Sequence, residues 1–239
     1  MASSRELRGA LVVVTGGSGG IGRAAGARLA GAGARVVLVA RTADAVAAAA
    51  AEIDGEACAA DVATEAGVAR VAECVAGVDG RGPDIVVHAA GAFGLAPLAE
   101  TSVASFDRMI AVNLRAAFLL MRAFLPAMLA RGSGHFVTIG SVAGRQAFPA
   151  NAAYGASKFG VRGLHAVLTA ELRGTGVRAT FVEPAATDTP LWDSVDTDRS
   201  PGLPARAAML SPAAIADAVF FAVTRPDGVT IPNILVERA

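Results

Sequence analysis

Short apolar runs, mostly β-branched, recur along the chain at 11–14, 36–39, 56–59, 85–87, 135–139, 178–182 and 234–236. Each has the length of a strand and falls short of a helix, so the pattern predicts about seven strands. Between them, 20–32, 64–75, 102–131 and 152–173 carry helical periodicity or strong helix formers. Several runs are apolar at every position, as burial on both faces of a parallel sheet demands. This alternation predicts an α/β fold, a doubly wound parallel sheet with right-handed crossovers and helices on both faces. One longer stretch has loop chemistry, about 186–211, with Asp193, Asp196, Asp198, Pro190, Pro201 and Pro204. Loops of that length inside compact domains are commonly lids or binding loops, so a substrate loop is expected there, with a plain surface insertion as the alternative.

Composition narrows the function classes. The 239 residues are 54% hydrophobic and 18% charged, with a formal net charge of zero. That leaves no basic footprint for nucleic acid or an anionic membrane. No repeat or low-complexity linker divides the chain, so 1–239 is expected to form a single domain. Cys58 and Cys74 are too sparse for a disulfide framework or a metal ligand set, and read as small buried hydrophobes in a reducing compartment. The apolar stretch at 10–14 stops at glycines and is neither a signal core nor a spanning helix; a cytoplasmic protein is the expectation.

The scarce residue types carry the chemistry. Arg dominates the cations, yet the chain keeps one Lys, and its one Tyr lies four positions before it: Tyr154 and Lys158. On a helix these two share a face and can enter one cleft. A free phenol titrates near ~10, and a neighbouring ammonium favours the phenolate, so Lys158 is expected to bring Tyr154 down toward the working range of a proton-transfer group. Ser141 ends the fifth strand, at the carboxyl edge where such sheets bind ligands, and can hydrogen-bond a substrate oxygen.

Thr15-Gly16-Gly17-Ser18-Gly19-Gly20-Ile21-Gly22 follows the first strand and opens a helix. Glycines let backbone N–H groups approach a pyrophosphate, and the helix N-terminus favours its charge. Gly16, Ser18, Gly20, Ile21 and Gly22 are thus cofactor-site candidates in a Rossmann-type domain. The second strand ends Ala40-Arg41-Thr42, with a cation beside the place where an acid would hold a ribose 2′-hydroxyl; Arg41 and Thr42 can receive a 2′-phosphate instead.

The spacing T-G-x-x-x-G-x-G, with Y-x-x-x-K and a serine thirteen positions before the tyrosine, resembles the short-chain dehydrogenase/reductase family over essentially the whole chain. The resemblance implies an NAD(P)-dependent oxidoreductase acting on CH–OH and C=O groups, with NADP(H) preferred and NAD(H) possible. It makes Asn113, Ser141, Tyr154 and Lys158 the catalytic set, Asn113 holding a water that links Lys158 to solvent. It places Asp61 and Val62 at adenine, Ala90 and Gly91 at the ribose, and Pro184, Ala185, Thr187 and Thr189 around the carboxamide and pyrophosphate, with Tyr154 and Lys158 also touching the cofactor. Ala185 replaces the family's glycine, a restriction if that turn needs positive φ. Phe93, Leu95, Val142, Arg145, Phe148, Asn151 and Trp192, beside these motifs, are candidate pocket linings; Arg145 is read as a carboxylate or phosphate receptor or a solvated cation. The implied partners are a small carbonyl or alcohol substrate (a 3-oxoacyl or 3-hydroxy acid type among them) and further copies of the chain, as a homodimer or homotetramer. No metal is implied. Two alternatives stay open: an NAD-dependent alcohol dehydrogenase working oxidatively, and a non-catalytic dinucleotide sensor.

Overall fold

The computed structural model describes residues 6–195, 197 and 202–239. Its strands are β1 (Leu11–Thr15), β2 (Arg35–Ala40), β3 (Glu56–Ala59), β4 (Ile85–His88), β5 (Gly134–Ile139), β6 (Val177–Pro184) and β7 (Asn233–Val236). All pair in parallel, in the order β3-β2-β1-β4-β5-β6-β7. The order reverses between β1 and β4, which opens a crevice at the carboxyl ends of the strands.

Strand parity decides which residue faces which layer. Leu11, Val13, Val37, Val39, Val86 and Phe136 pack with α3 (Glu65–Val78), α5 (Ala116–Arg131) and α6 (Ala152–Glu171). Their neighbours Val12, Val14, Val36, Leu38, Ile85 and Val137 pack on the other face, with α1 (Gly20–Ala30), α2 (Ala43–Ala51) and α7 (Pro212–Val223). The runs of β1, β2, β4, β5 and β6 are therefore buried on both faces, as their lack of alternation implied, while the edge strands β3 and β7 are partly exposed. Helix starts are set locally: Thr64, Ser102 and Ser211 accept through their hydroxyls from Gly67, Ser105 and Ala214 N–H. Gly132, in the left-handed conformation, ends α5.

The stretch expected as one helix over 102–131 is α4 (Val103–Ile110) and α5 joined by a π-helical turn, Ala111–Arg115. By length and composition alone, Val103–Arg131 could cross a membrane; here it packs on the sheet and sends Leu120, Phe124 and Met128 into the core. Two helices, α2 and α7, were not expected. α2 is almost all alanine and α7 is apolar on most sides, so neither shows a stripe to read.

Cys58 and Cys74 correct a second expectation. They are joined as a disulfide between β3 and α3, with Cα atoms 6.2 Å apart. Cys58 is buried under α3, and the crossover turns Cys74 back over it, a pairing that spacing alone did not reveal.

Candidate active site

Two cavities meet at the switch point. The first, of about 340 Å³, is lined by Gly16, Ser18, Gly20, Ile21, Arg41, Thr42, Asp61, Val62, Ala90, Gly91 and Thr189, all anticipated from sequence. Gly19, Ala89, Ala92, Pro190, Leu191, Val112 and Arg108 also line it. The last two come from the turn after α4 and from α4 itself and lie 21 and 17 positions beyond Gly91, so no local signal pointed to them. Gly22 does not line it. A Cβ there would collide with the Gly16 carbonyl, so this glycine lets α1 pack against the turn.

The second cavity, of about 470 Å³, shares Ile21, Ala89, Gly91, Thr189 and Leu191 with the first. Ser141, Tyr154, Lys158, Pro184, Ala185 and Thr187 line its inner end, with Phe93, Leu95, Val142, Phe148, Asn151 and Trp192 around them. The lining adds Gln146, just beyond Arg145, and Glu237 and Arg238, which the sequence reading missed because the C-terminal tail reaches the site only through the β6–β7 pairing. Phe93 stands edge-on to Tyr154 (4.9 Å, 86°) and tilts against Trp192 (4.7 Å). These three rings form one aromatic wall. Asp193 and Pro204 of the expected substrate loop lie beside Trp192 and on the cavity wall respectively, while Asp196, Asp198 and Pro201 lie outside the described residues.

Arg145 does not face the cavity. It donates from Nε (3.3 Å) and Nη2 (2.9 Å) to Glu183, so the reading of it as a substrate-anion receptor is corrected. The buried carboxylate takes the guanidinium that a carboxylate or phosphate substrate would need. Ala185 keeps an ordinary backbone: among described non-glycine residues, only Asp54 and Ala150 have left-handed φ. Alanine thus fits where the family resemblance expected glycine.

Asn113 sits in the π-helical turn, a feature common at functional sites. Its Oδ1 accepts from Ala92 N–H (2.7 Å), and its Nδ2 donates to Ala92 O and to Ser157 Oγ (2.9 Å each). The side-chain amide is therefore committed to joining the β4 loop to α6 and makes no direct hydrogen bond to Lys158. Ser141 Oγ accepts from Ala143 N–H (3.1 Å). Lys158 is buried and donates to Ile139 O (3.0 Å), with two further donors to offer.

Electrostatics here run against one expectation. Burial pushes the Tyr154 phenol up to about 12, and the Ser141 hydroxyl, which pulls it down, only partly offsets this. The Lys158 ammonium stands 5.6 Å from the ring centre, and its own burial brings it down to about 8. Desolvation of two buried charged forms thus dominates over their attraction. His88 is buried, shares a hydrogen bond with Thr15 Oγ1 (2.9 Å), and is held down to about 3 by burial and then by Lys158. It is neutral at working pH, a structural partner of the glycine turn. Among the described residues no cluster of His, Cys, Asp or Glu has the makings of a metal site.

The residues fit a nicotinamide dinucleotide. An acid, Asp61, and an apolar wall stand at one end, the first N–H groups of α1 in the middle, and Lys158, with donors to spare, at the other.

A family model described as short chain dehydrogenase matches residues 10–200. A glycine betaine reductase of Emericella nidulans is 36% identical over 240 residues, covering 97% of this chain and 19% of that protein. The chain thus spans about a fifth of that relative's length. A 2-dehydro-3-deoxy-L-rhamnonate dehydrogenase (NAD(+)) of a Sphingomonas species is 40% identical over 189 residues, 78% of this chain and 76% of that one. Among solved structures, a metagenomic short-chain oxidoreductase in complex with NADP superimposes with a TM-score of 0.82 at 38% identity, covering 98% of this chain and 99% of that one.

Proposed function

The chain belongs to the short-chain dehydrogenase family, an NAD(P)-dependent enzyme acting on CH–OH and C=O groups, and from that premise we propose that it is an NADP(H)-dependent carbonyl reductase or alcohol dehydrogenase. The observation that carries this reading is the convergence of Ser141, Tyr154 and Lys158 on one cavity that opens into the glycine-turn cleft. Nicotinamide, when bound, gives up or accepts the hydride. Tyr154 donates a proton to the substrate oxygen in the reductive direction and takes it back in the other. Ser141 holds that oxygen by a hydrogen bond and steadies its growing negative charge. Lys158 turns its free donors toward the nicotinamide ribose and makes phenolate formation at Tyr154 easier. Asn113 acts through the brace between the β4 loop and α6, which keeps Lys158 and the π-helical turn in register.

Preference for NADP(H) rests on Arg41 and Thr42, both exposed and lining the cleft beside Ala40, which stands where an acid would hold a ribose 2′-hydroxyl. A relative that works with NAD(+) and a structural neighbour holding NADP bracket the two cofactors. Arg41→Asp is expected to shift preference toward NADH, read as the ratio of kcat/KM for the two cofactors; an unchanged ratio removes Arg41 from the 2′-phosphate site. The aromatic wall with Gln146, Asn151, Glu237 and Arg238 at its polar side suits a ketone or secondary alcohol that is apolar at one end and polar at the other, 3-oxoacyl and 3-hydroxy acid types included.

NADPH and NADH oxidation against ketones, 3-oxoacyl thioesters and sugar-derived ketones, with the reverse reaction on 3-hydroxy acids and polyols, tests the proposal. Turnover with NADPH supports it. Turnover confined to NAD(+) and alcohols selects the oxidative dehydrogenase, and cofactor binding without any turnover selects the sensor. Assembly as a homodimer or homotetramer is supported by exposed Phe106, Phe118, Phe159 and Val167 on α4, α5 and α6, and light scattering reads it directly. A nicotinamide co-substrate supports a cytoplasmic location, while the Cys58–Cys74 disulfide pulls the other way.

A further inference from the structure

Glu183 carries a fully buried carboxylate one residue before the end of β6. It accepts from Arg145 Nε and Nη2 (3.3 and 2.9 Å), forms an ion pair with Arg162 Nε (3.2 Å), and accepts from Asn233 Nδ2 (2.7 Å). None of the four residues lines either cavity. Each donor comes from an element that bears or borders the reacting groups. Arg145 closes the 3₁₀ turn that starts directly after Ser141. Arg162 lies one helical turn beyond Lys158 and two beyond Tyr154 on α6, and Asn233 opens β7. Pro184 and Ala185, which follow Glu183, line the cavity. The same junction is packed tightly, since a Cβ on Gly144 would stand 2.7 Å from the Lys158 carbonyl oxygen.

Buried ion pairs pay for desolvation and are poor stabilisers compared with apolar packing; their best-attested use is to specify one geometry. We propose that Glu183 is a positioning residue, which through Arg145 and Arg162 sets the placement of Ser141 relative to Tyr154 and Lys158. This rests on the dehydrogenase reading, and the test separates the two. Glu183→Gln keeps the shape and removes the charge that both guanidinium groups share. NADPH affinity, read by its fluorescence, is expected to stay within about threefold, while kcat falls about tenfold to a hundredfold, as misplacement by a fraction of an ångström to one ångström does. In a Ser141→Ala background the same substitution should add less than about twofold, because residues acting as a unit are non-additive. Arg145→Met, which removes one of the two guanidinium partners and leaves Arg162 in place, should reproduce the loss. Since Tyr154 is the only tyrosine, ring-labelled tyrosine reports its surroundings by NMR without any turnover. Its signals should shift or broaden in both Glu183→Gln and Arg145→Met. Unchanged Tyr154 signals, an unchanged kcat, or full multiplication with Ser141→Ala overturns the proposal. An inactive wild type overturns the dehydrogenase reading instead, and the tyrosine signals then still decide the positioning role.

Discussion

Replacing Lys158 by Met should make the coenzyme-free protein more stable while ending its turnover. Lys158 is buried with Ile139 O as its hydrogen-bond acceptor, and burial brings its ammonium from 10.5 to about 8. At ~1.4 kcal/mol per pH unit, keeping it charged in the fold costs about 3 kcal/mol. The folded value lies below the unfolded one, so this group's stability is whole only above pH 10.5. As pH falls from 10.5 to 8 the unfolded chain takes up the proton first, and the resulting deficit persists at neutral pH. Methionine fills similar space without charge and forfeits the bond to Ile139, worth about 1 kcal/mol. The balance is a gain of about 2 kcal/mol at pH 7, or roughly 5 °C in Tm for a chain of this size. Above pH 10.5 the gain should vanish and turn into a deficit of about 1 kcal/mol. Urea unfolding of both proteins at pH 7 and near pH 10.5 measures this. A Lys158→Met protein that is less stable at pH 7, or whose difference from wild type ignores pH, refutes the claim that desolvation governs this site.

Tyr154→Phe should lower kcat by about 10² to 10⁴ with NADPH binding nearly intact, since only the proton-transfer oxygen is lost; near-normal turnover would remove Tyr154 from the mechanism. Burial holds His88 at about 3 and His165 at about 4, below the free value of 6.5. Their stability is therefore whole above pH 6.5 and is lost as pH falls, by about 1.4 kcal/mol per pH unit for each imidazole. His88→Asn should roughly halve that acid slope in urea titrations between pH 6.5 and 4.5, and an identical slope would show that another group controls it. The Cys58–Cys74 disulfide closes a loop of sequence separation 16, so Cys74→Ser should cost about 3 kcal/mol of unfolding free energy. A difference below about 1 kcal/mol would place its constraint in native-state packing that the reduced chain retains.

Much of this protein could be read before its structure. The central strands are short, mostly apolar runs whose burial on both faces leaves little alternation, and all seven strands lie where such runs predicted. The glycine turn and the Tyr154–Lys158 pair are equally local: a turn needs particular residues in a row, and a helix puts positions four apart on one face. Ser141 could be placed as well, because a strand's carboxyl end is where a parallel sheet presents residues to ligands.

The tertiary structure alone decided what depends on distant partners. Arg145 is 38 positions from Glu183, and nothing near it announces that its guanidinium is already taken. Cys58 and Cys74 read as separate buried thiols until the β3–α3 crossover brings them together. Lys158 was expected to draw the Tyr154 phenol down, whereas the depth of the cavity pushes it up to about 12, since desolvation depends on every element packed around the group. Local order follows from short-range sterics and hydrophobic period, which any window of sequence carries. Pairing, burial and the energy of a charge follow from how the chain folds back on itself, and those belong to the whole molecule.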